Sequence, residues 1–279
     1  MMILIADSGS TKTDWVLIGN DGQVVGEVTT AGMNPFHQTN EELVSILKGM
    51  SLTNAYEEEK ISLFFYGSGC TPEQIPRLRE LLSQNLPNIW VCDVYSDLMG
   101  AAHALCGHQE GIACILGTGA NSCLYDGKQI IQNTPALGYI LGDEGSGAVL
   151  GRKFINALYK GRLPQGLREA FEQKTGLTMS AVIQRVYREP QANRFLASLS
   201  LFIGKHQDVP EVRQLVVGNF REFLRHNVKP YGRPELPIGF VGSMAYHYES
   251  ELREAAQLEG FVVGTVVKSP MSGLIRFHS

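Results

Sequence analysis

The feature that most constrains this chain is a layout that occurs twice, offset by 110 residues when Gly9 is set against Gly119. In the first copy an apolar run at 3–6 leads into the turn Gly9-Ser10-Thr11, a second run at 14–18, the dipeptide Asp21-Gly22 and a third run at 24–28. In the second copy, 112–116 leads into Gly117-Thr118-Gly119, then 122–125, Asp126-Gly127 and 129–131. Asp-Gly tolerates the positive φ of a tight hairpin turn, so each copy reads as a three-stranded meander. The letters agree weakly and the layout well, and a repeat of this kind decides architecture before local detail does. Two meanders, each running on into strands and helices, imply two similar α/β lobes with a cleft between them. The boundary falls near Glu110-Gly111, which gives lobes of 1–111 and 112–279.

Between the two meanders, 41–50 reads as helix, 61–66 as a buried strand and 89–94 as another strand. Thr71-Pro72 reads as a helix start, a capping hydroxyl followed by proline, with Ile75, Leu78, Leu82 and Leu86 keeping helical spacing behind it. Asp97 opens a helix that runs to 105. After the second meander the helix candidates are 145–159, 165–174, 180–188, 192–205 and 211–227. Strand returns at 238–241 with Gly242-Ser243 as its turn, followed by helix at 246–259, strand at 262–267 and a short terminal helix.

Composition narrows the function classes. The chain has 24 Lys+Arg against 28 Asp+Glu, a formal charge of -4, so nothing electrostatic favours nucleic acid or an anionic membrane. The opening apolar run lacks a basic flank and ends at Asp7 after about four residues, short of the ~7–15 of a signal segment. No apolar stretch approaches the roughly 20 residues of a membrane span. Five cysteines without a Cys-x-x-Cys pair indicate neither a disulfide framework nor a zinc site, and a cytoplasmic location is expected.

The residues able to carry chemistry sit at the turns. A glycine turn after a strand can aim successive N–H groups at a phosphate. Asp7-Ser8-Gly9-Ser10-Thr11-Lys12-Thr13 adds hydroxyls, an ammonium and a carboxylate that suits a hydrated Mg²⁺. Gly117-Thr118-Gly119-Ala120-Asn121 repeats the arrangement without the carboxylate. Asp97, at a strand-to-helix junction, is either an N-cap or a general base for a hydroxyl. Asp143 and Glu144, inside Gly142-Asp143-Glu144-Gly145-Ser146-Gly147, either cap the following helix or accept hydrogen bonds from a polyol. Asn34, before Pro35, is either turn chemistry or a ligand contact.

In this order the motifs resemble the N-acetylglucosamine kinase group of the BadF/BadG-type ATPase family, within the actin/hexokinase/Hsp70 superfamily. Residues 7–13 resemble its first phosphate motif, with Ser8 and Ser10 where glycines are usual. Residues 116–122 are similar to its second phosphate motif, 138–146 to its sugar-binding signature, 241–243 to its adenosine motif and 268–273 to its closing segment. No tryptophan lies near Leu137, where some sugar kinases carry one. The resemblance implies two ribonuclease H-like α/β lobes, the final segment packing back toward the first. It implies ATP and Mg²⁺ as cofactors and a small-molecule amino sugar as substrate, and leaves a homodimer open. It implies Asp97 as general base and Asp7 as metal ligand. Gly9, Ser10, Thr11, Lys12, Thr13, Gly117, Thr118, Gly119, Gly242 and Ser243 are then ATP contacts, and Asn34, Asn121, Asp143 and Glu144 sugar contacts. The rival expectations are an ATPase that activates a redox partner and a non-catalytic ATP- or sugar-binding module.

Overall fold

The computed structural model describes every residue of the chain except Ser10 and Glu57. The chain opens with β1 (Met2–Ser8), β2 (Lys12–Ile18) and β3 (Val24–Ala31), then α1 (Asn40–Lys48), β4 (Ile61–Gly67), α2 (Ile75–Asn85), β5 (Ile89–Ser96) and α3 (Asp97–Cys106). The second meander is β6 (Glu110–Leu116), β7 (Ala120–Asp126) and β8 (Ile130–Asn133). A helical stretch follows: α4 (Gly138–Leu141), α5 (Gly147–Tyr159), α6 (Gln165–Thr175), α7 (Met179–Tyr187), α8 (Ala192–Ser198), α9 (Ser200–Ile203) and α10 (Pro210–Phe223). The chain closes with β9 (Ile238–Val241), α11 (Ser243–His247), α12 (Glu249–Glu259), β10 (Val263–Val267) and α13 (Met271–His278).

Two compact units result, one of residues 1–108 with 270–279, the other of 109–269. Each holds one five-stranded mixed sheet. The first has the order β3-β2-β1-β4-β5, and the second, read from its other edge, β8-β7-β6-β9-β10. In both, the meander is antiparallel and its first strand pairs in parallel with the next strand in sequence. The repeat seen in the sequence is therefore a repeat of topology.

In the first unit, strand alternation splits the apolar residues between two faces. Leu4, Ala6, Leu63, Phe65 and Val94 pack with Leu43 and Leu47 of α1 and Leu78 and Leu82 of α2. Ile5, Val16 and Tyr66 pack on the other face with Leu274 of α13 and with Met99 of α3. Cover on both faces is what makes β1 and β4 nearly continuous apolar runs. α13 lies so close to α3 that a Cβ on Gly273 would stand 2.4 Å from the Ala104 carbonyl oxygen. The second unit's core runs from Ile112, Cys114 and Leu116 of β6 to Phe154, Phe171, Phe202, Phe220 and Phe223 of the helical stretch.

The structure departs from the sequence reading at helix boundaries. α2 begins at Ile75, with Pro76 in its first turn, while Thr71 only closes turns by accepting from the Gln74 and Ile75 N–H groups. The stretch 192–205 breaks into α8, α9 and a 3-10 turn, and α10 ends in a π turn at Leu224–Val228. The stretch 246–259 breaks at Tyr248, whose buried ring sends its hydroxyl to the Ser200 carbonyl at 2.5 Å. Among the described residues no helix is long and apolar enough to cross a membrane.

Candidate active site

The first unit gathers its polar residues where β1, β4 and β5 end. β1 stops at Ser8, and the Gly9 N–H closes a tight turn on the Lys12 carbonyl at 3.0 Å. Ser10, expected to touch phosphate, lies outside the described residues. Gly9 and Thr11 are exposed. Lys12 falls at the start of β2, where its ammonium meets Asp14 at 2.5 Å. Thr13 is buried, bonded to Ser8 Oγ at 2.8 Å and donating to the Ala31 carbonyl at 3.2 Å, so its hydroxyl serves the turn's shape.

Asp7 pairs in register with Asp14 on β2. Its carboxyl is pushed up to about 7, first by burial and then by the charges of Asp97 and Asp14, with Lys12 opposing. Such a site is short of positive charge.

Asp97 is the first residue of α3. The cap, however, is Ser96, whose Oγ accepts the Met99 N–H at 3.2 Å. Asp97 keeps one local bond, from the Leu98 N–H at 2.9 Å. Burial raises its pKa, and the backbone N–H groups of Leu98 and Asp97 itself partly offset this. Asn34 follows β3. Its Oδ1 accepts the Phe36 N–H at 3.0 Å, which leaves the amide N–H groups for a ligand. Gly69, at φ +76°, presses on that amide: a Cβ there would sit 2.0 Å from Asn34 Oδ1.

The second unit builds its polar cluster around the β6–β7 turn. The Gly117 N–H bonds the Gly119 carbonyl at 2.9 Å. The first N–H groups of α5, from Gly147 and Ala148, donate to the carbonyls of Gly117 and Thr118 at 2.8 and 3.2 Å. The helix start thus pins the turn and leaves the turn's other face open. α5 is capped by Ser146, through the Val149 N–H at 3.2 Å, so capping does not explain Asp143.

Asp143 stands at φ +54°, in the left-handed region that aspartate tolerates better than most residues. Its Oδ1 accepts the Ala120 N–H at 3.4 Å, and its carboxyl is pushed up to about 6, mainly by burial. Glu144 is held by the Asn227 amide at 3.3 Å. Asn121 spends its Oδ1 on the Ser122 N–H and Asn133 Nδ2, both at 2.9 Å, and keeps its own N–H groups for a ligand. Just before Asp143, Leu137, Ile140 and Leu141 are all more than 60% exposed, an apolar surface beside a polar one. At the end of β9, Gly242 has φ +123° and lies so close to β6 that a Cβ would sit 2.3 Å from the Leu116 carbonyl oxygen. Exposed Ser243 follows it at the start of α11.

The structure therefore brings Asp7, Gly9, Asn34 and Asp97 to one region of the first unit. It brings Gly117, Thr118, Gly119, Asn121, Asp143 and Glu144 to one region of the second, with Gly242 beside β6. Asp14 and Gly69 were missed in the sequence. Asp14 looks like an ordinary strand residue, and the contact between Gly69 and Asn34 joins two loops far apart in the chain.

The chain matches no protein-family model and no curated protein. Solved structures do match it. A protein of Porphyromonas gingivalis, provisionally named an N-acetylglucosamine kinase, is 50% identical over 99% of this chain and 98% of that one, with a TM-score of 0.93. A Chromobacterium violaceum protein with the same provisional name is 20% identical over 100% and 99% of the two chains, with a TM-score of 0.77. A ROK family glucokinase from Streptomyces griseus, solved with glucose and AMPPNP, is 12% identical over 99% and 98%, with a TM-score of 0.56. The two matched sheets and these likenesses define an ATPase fold of the actin/hexokinase class. Within that class, the chain belongs to the N-acetylglucosamine kinase group of the BadF/BadG-type ATPase family.

Proposed function

We propose that the chain is an ATP-dependent kinase that phosphorylates a hydroxyl of an amino sugar, with the primary hydroxyl on C6 as acceptor. The observation that carries this reading is Asp97. It is a carboxylate relieved of capping by Ser96, made more basic by burial, and close enough to Asp7 for its charge to be felt there. A general base needs that basicity to take the acceptor's proton as the hydroxyl attacks the γ-phosphate.

The remaining residues position and stabilise, which is most of the work in phosphoryl transfer. Gly9 and Thr11 in one turn, with Ser10 as the sequence implies, and Gly117, Thr118 and Gly119 in the other, hold phosphate oxygens. Gly242 and Ser243 hold the adenosine. Lys12, paired with Asp14, has further N–H donors for phosphate. The carboxylate-rich surroundings of Asp7 suit a cation, and Asp7 would hold Mg²⁺ with water and ATP's own oxygens, the usual arrangement for this ion. Bound magnesium offsets the charge of the phosphates. Among the described residues no three His, Cys, Asp or Glu side chains are grouped to hold a metal by themselves.

Sugar recognition divides by hydrogen-bond type. The amide N–H groups of Asn34 and Asn121 donate to sugar oxygens, while Asp143 accepts from sugar hydroxyls, with Glu144 behind it. The apolar surface of Leu137, Ile140 and Leu141 suits an acyl substituent on the sugar nitrogen. Use of ATP fits work in the cytoplasm. The relative at 50% identity supports this reading over a redox-activating ATPase.

The test is an ADP-release screen over N-acetylglucosamine, other N-acylated amino sugars, glucosamine and glucose with Mg·ATP. Sugar-stimulated ADP release highest for an amino sugar is the expected result. Stimulation by glucose alone, or by no sugar, would refute the proposal.

A further inference from the structure

The loop after β4, Gly67-Ser68-Gly69-Cys70, has no role in the mechanism so far, yet it runs through the middle of the first unit's site. In the sheet β4 lies between β1 and β5. The registers Ser8↔Gly67 and Gly67↔Ser96 put Ser68 one step beyond both pairs, with Asp97 as its next neighbour on the β5 side. The ladder continues that far, because the Ser68 N–H still bonds the Ser8 carbonyl at 3.0 Å.

Alternation then sets the face. Ile5, Tyr66 and Tyr95 all point to the side covered by α3 and α13. Two residues beyond each stand Asp7, Ser68 and Asp97, so all three point to that face, with Ser68 level with Asp97 and Asp7 one pleat back, level with Tyr66. The neighbouring Cys70 thiol is pushed up to about 12 by burial and then by the charge of Asp97, so the loop lies within reach of that charge.

Ser68 Oγ is shut off from solvent and has no hydrogen-bond partner among the described residues. A buried hydroxyl left without a partner is destabilising, and such groups in native structures call for an explanation. The β5 side supplies one. The Asp97 carboxylate is the acceptor next in line to Ser68, and a rotation of χ1 is what the serine hydroxyl needs to use it.

We propose that Ser68 is a positioning residue for phosphoryl transfer, its hydroxyl donating to the Asp97 carboxylate when acceptor and nucleotide are bound and so fixing the direction in which Asp97 receives the proton. This rests on the kinase reading above. The Leu98 N–H already holds one Asp97 oxygen, and a second donor from the opposite side would remove the carboxylate's remaining freedom to turn. What the bond fixes is the direction of the base and not a substrate contact, so its loss should show mainly in kcat.

The experiment compares the parent with Ser68→Ala, Ser68→Thr and Asp97→Asn, using the best amino sugar from the screen and Mg·ATP. For Ser68→Ala we expect kcat to fall about tenfold or more, as for a hydrogen bond to a charged group, with both KM values within about twofold. Its melting temperature should equal or exceed the parent's, since an orphaned buried hydroxyl has been removed. Ser68→Thr keeps the hydroxyl and should recover most of kcat. Three results would overturn the inference: Ser68→Ala retaining more than about half of parental kcat, a loss of kcat matched by a lower melting temperature, or a folded Ser68→Thr as slow as the alanine variant. Full activity in Ser68→Ala beside loss in Asp97→Asn sinks this inference alone. A parent that phosphorylates no amino sugar sinks the kinase reading and this one with it.

Discussion

The two sheets share one strand order and end in opposite chemistry. In the first unit the strand ends carry carboxylates, Asp7 on β1 and Asp97 just beyond β5. Both are raised by burial. In the second unit the position matching Asp7 is Gly117, and the turn there is clamped by the first N–H groups of α5. Between β8 and β9 that unit also inserts seven helices, while the first unit has only α1 and α2 around β4. A duplicated scaffold thus holds its strand ends in the same places and lets residue type decide their use. On the proposed reading, carboxylates suit the first unit's strand ends to a proton and a cation, while the second unit's turn offers phosphate its backbone alone.

The comparison breaks most visibly at Asp97. Asp97→Asn should lower kcat by about 10²–10⁴-fold, the range for a general base, with little change in sugar and ATP affinity. Melting should stay near the parent's because Ser96, not Asp97, caps α3. Next comes Asp143, the second unit's one carboxylate raised by burial. If it accepts from sugar hydroxyls, Asp143→Ala should raise the sugar KM by about 10–100-fold, in line with the loss of charged hydrogen bonds, with the KM for ATP nearly unchanged. Steady-state kinetics with each substrate varied in turn separates the two.

A smaller effect concerns stability and pH. Asp7 has a pKa of about 7 in the folded chain against 3.8 as its ordinary value. Its protonated form is the one the fold favours. The stability it contributes is full below about 3.8 and is lost as pH rises through about 7. Asp7→Asn should therefore melt higher than the parent at pH 8 in EDTA, on the order of a few degrees, with the gap narrowing toward pH 4. The same variant should use Mg·ATP poorly. Equal melting curves at both pH values would show that Asp7 is not strained by its surroundings.

The smallest effect lies under α3 and α13, on the same face of the first sheet. Tyr66 Oη sits 2.8 Å from both His103 Nδ1 and His278 Nε2, and burial lowers each histidine to about 4. A depressed histidine contributes stability that is full above its ordinary value of 6.5 and lost as pH falls through about 4. His278→Phe, which keeps a ring against Phe64, should lose less stability between pH 7 and pH 4.5 than the parent does. Thermal melts across that window decide it.

Much of this was legible in the chain, for definite reasons. Apolar runs and Asp-Gly turns mark strand ends, so the repeat, and with it the shared topology, could be read from letters. What letters leave open is which of two nearby capping residues does the capping. Ser96 and Asp97 both cap well, as do Asp143 and Ser146, and only the geometry shows that serine takes the task each time and leaves aspartate for other use. Thr13 and Lys12 look like phosphate ligands in the motif, yet one is buried in the turn and the other is paired with Asp14. The start of α2 was misplaced because Thr71-Pro72 and Pro76 are both plausible openings, and the turns at 71–74 decide for the second. Contacts between distant loops, such as Gly69 on Asn34, leave no local pattern at all.

The central claim is that this chain moves phosphate from ATP to an amino sugar. The most direct test incubates the purified protein with Mg·ATP and N-acetylglucosamine and counts phosphosugar and ADP in the same sample by mass spectrometry. The account predicts one phosphosugar formed for each ADP released, with neither accumulating when the sugar is omitted. ADP released at the same rate with or without sugar, and no phosphosugar from any amino sugar tried, would contradict it.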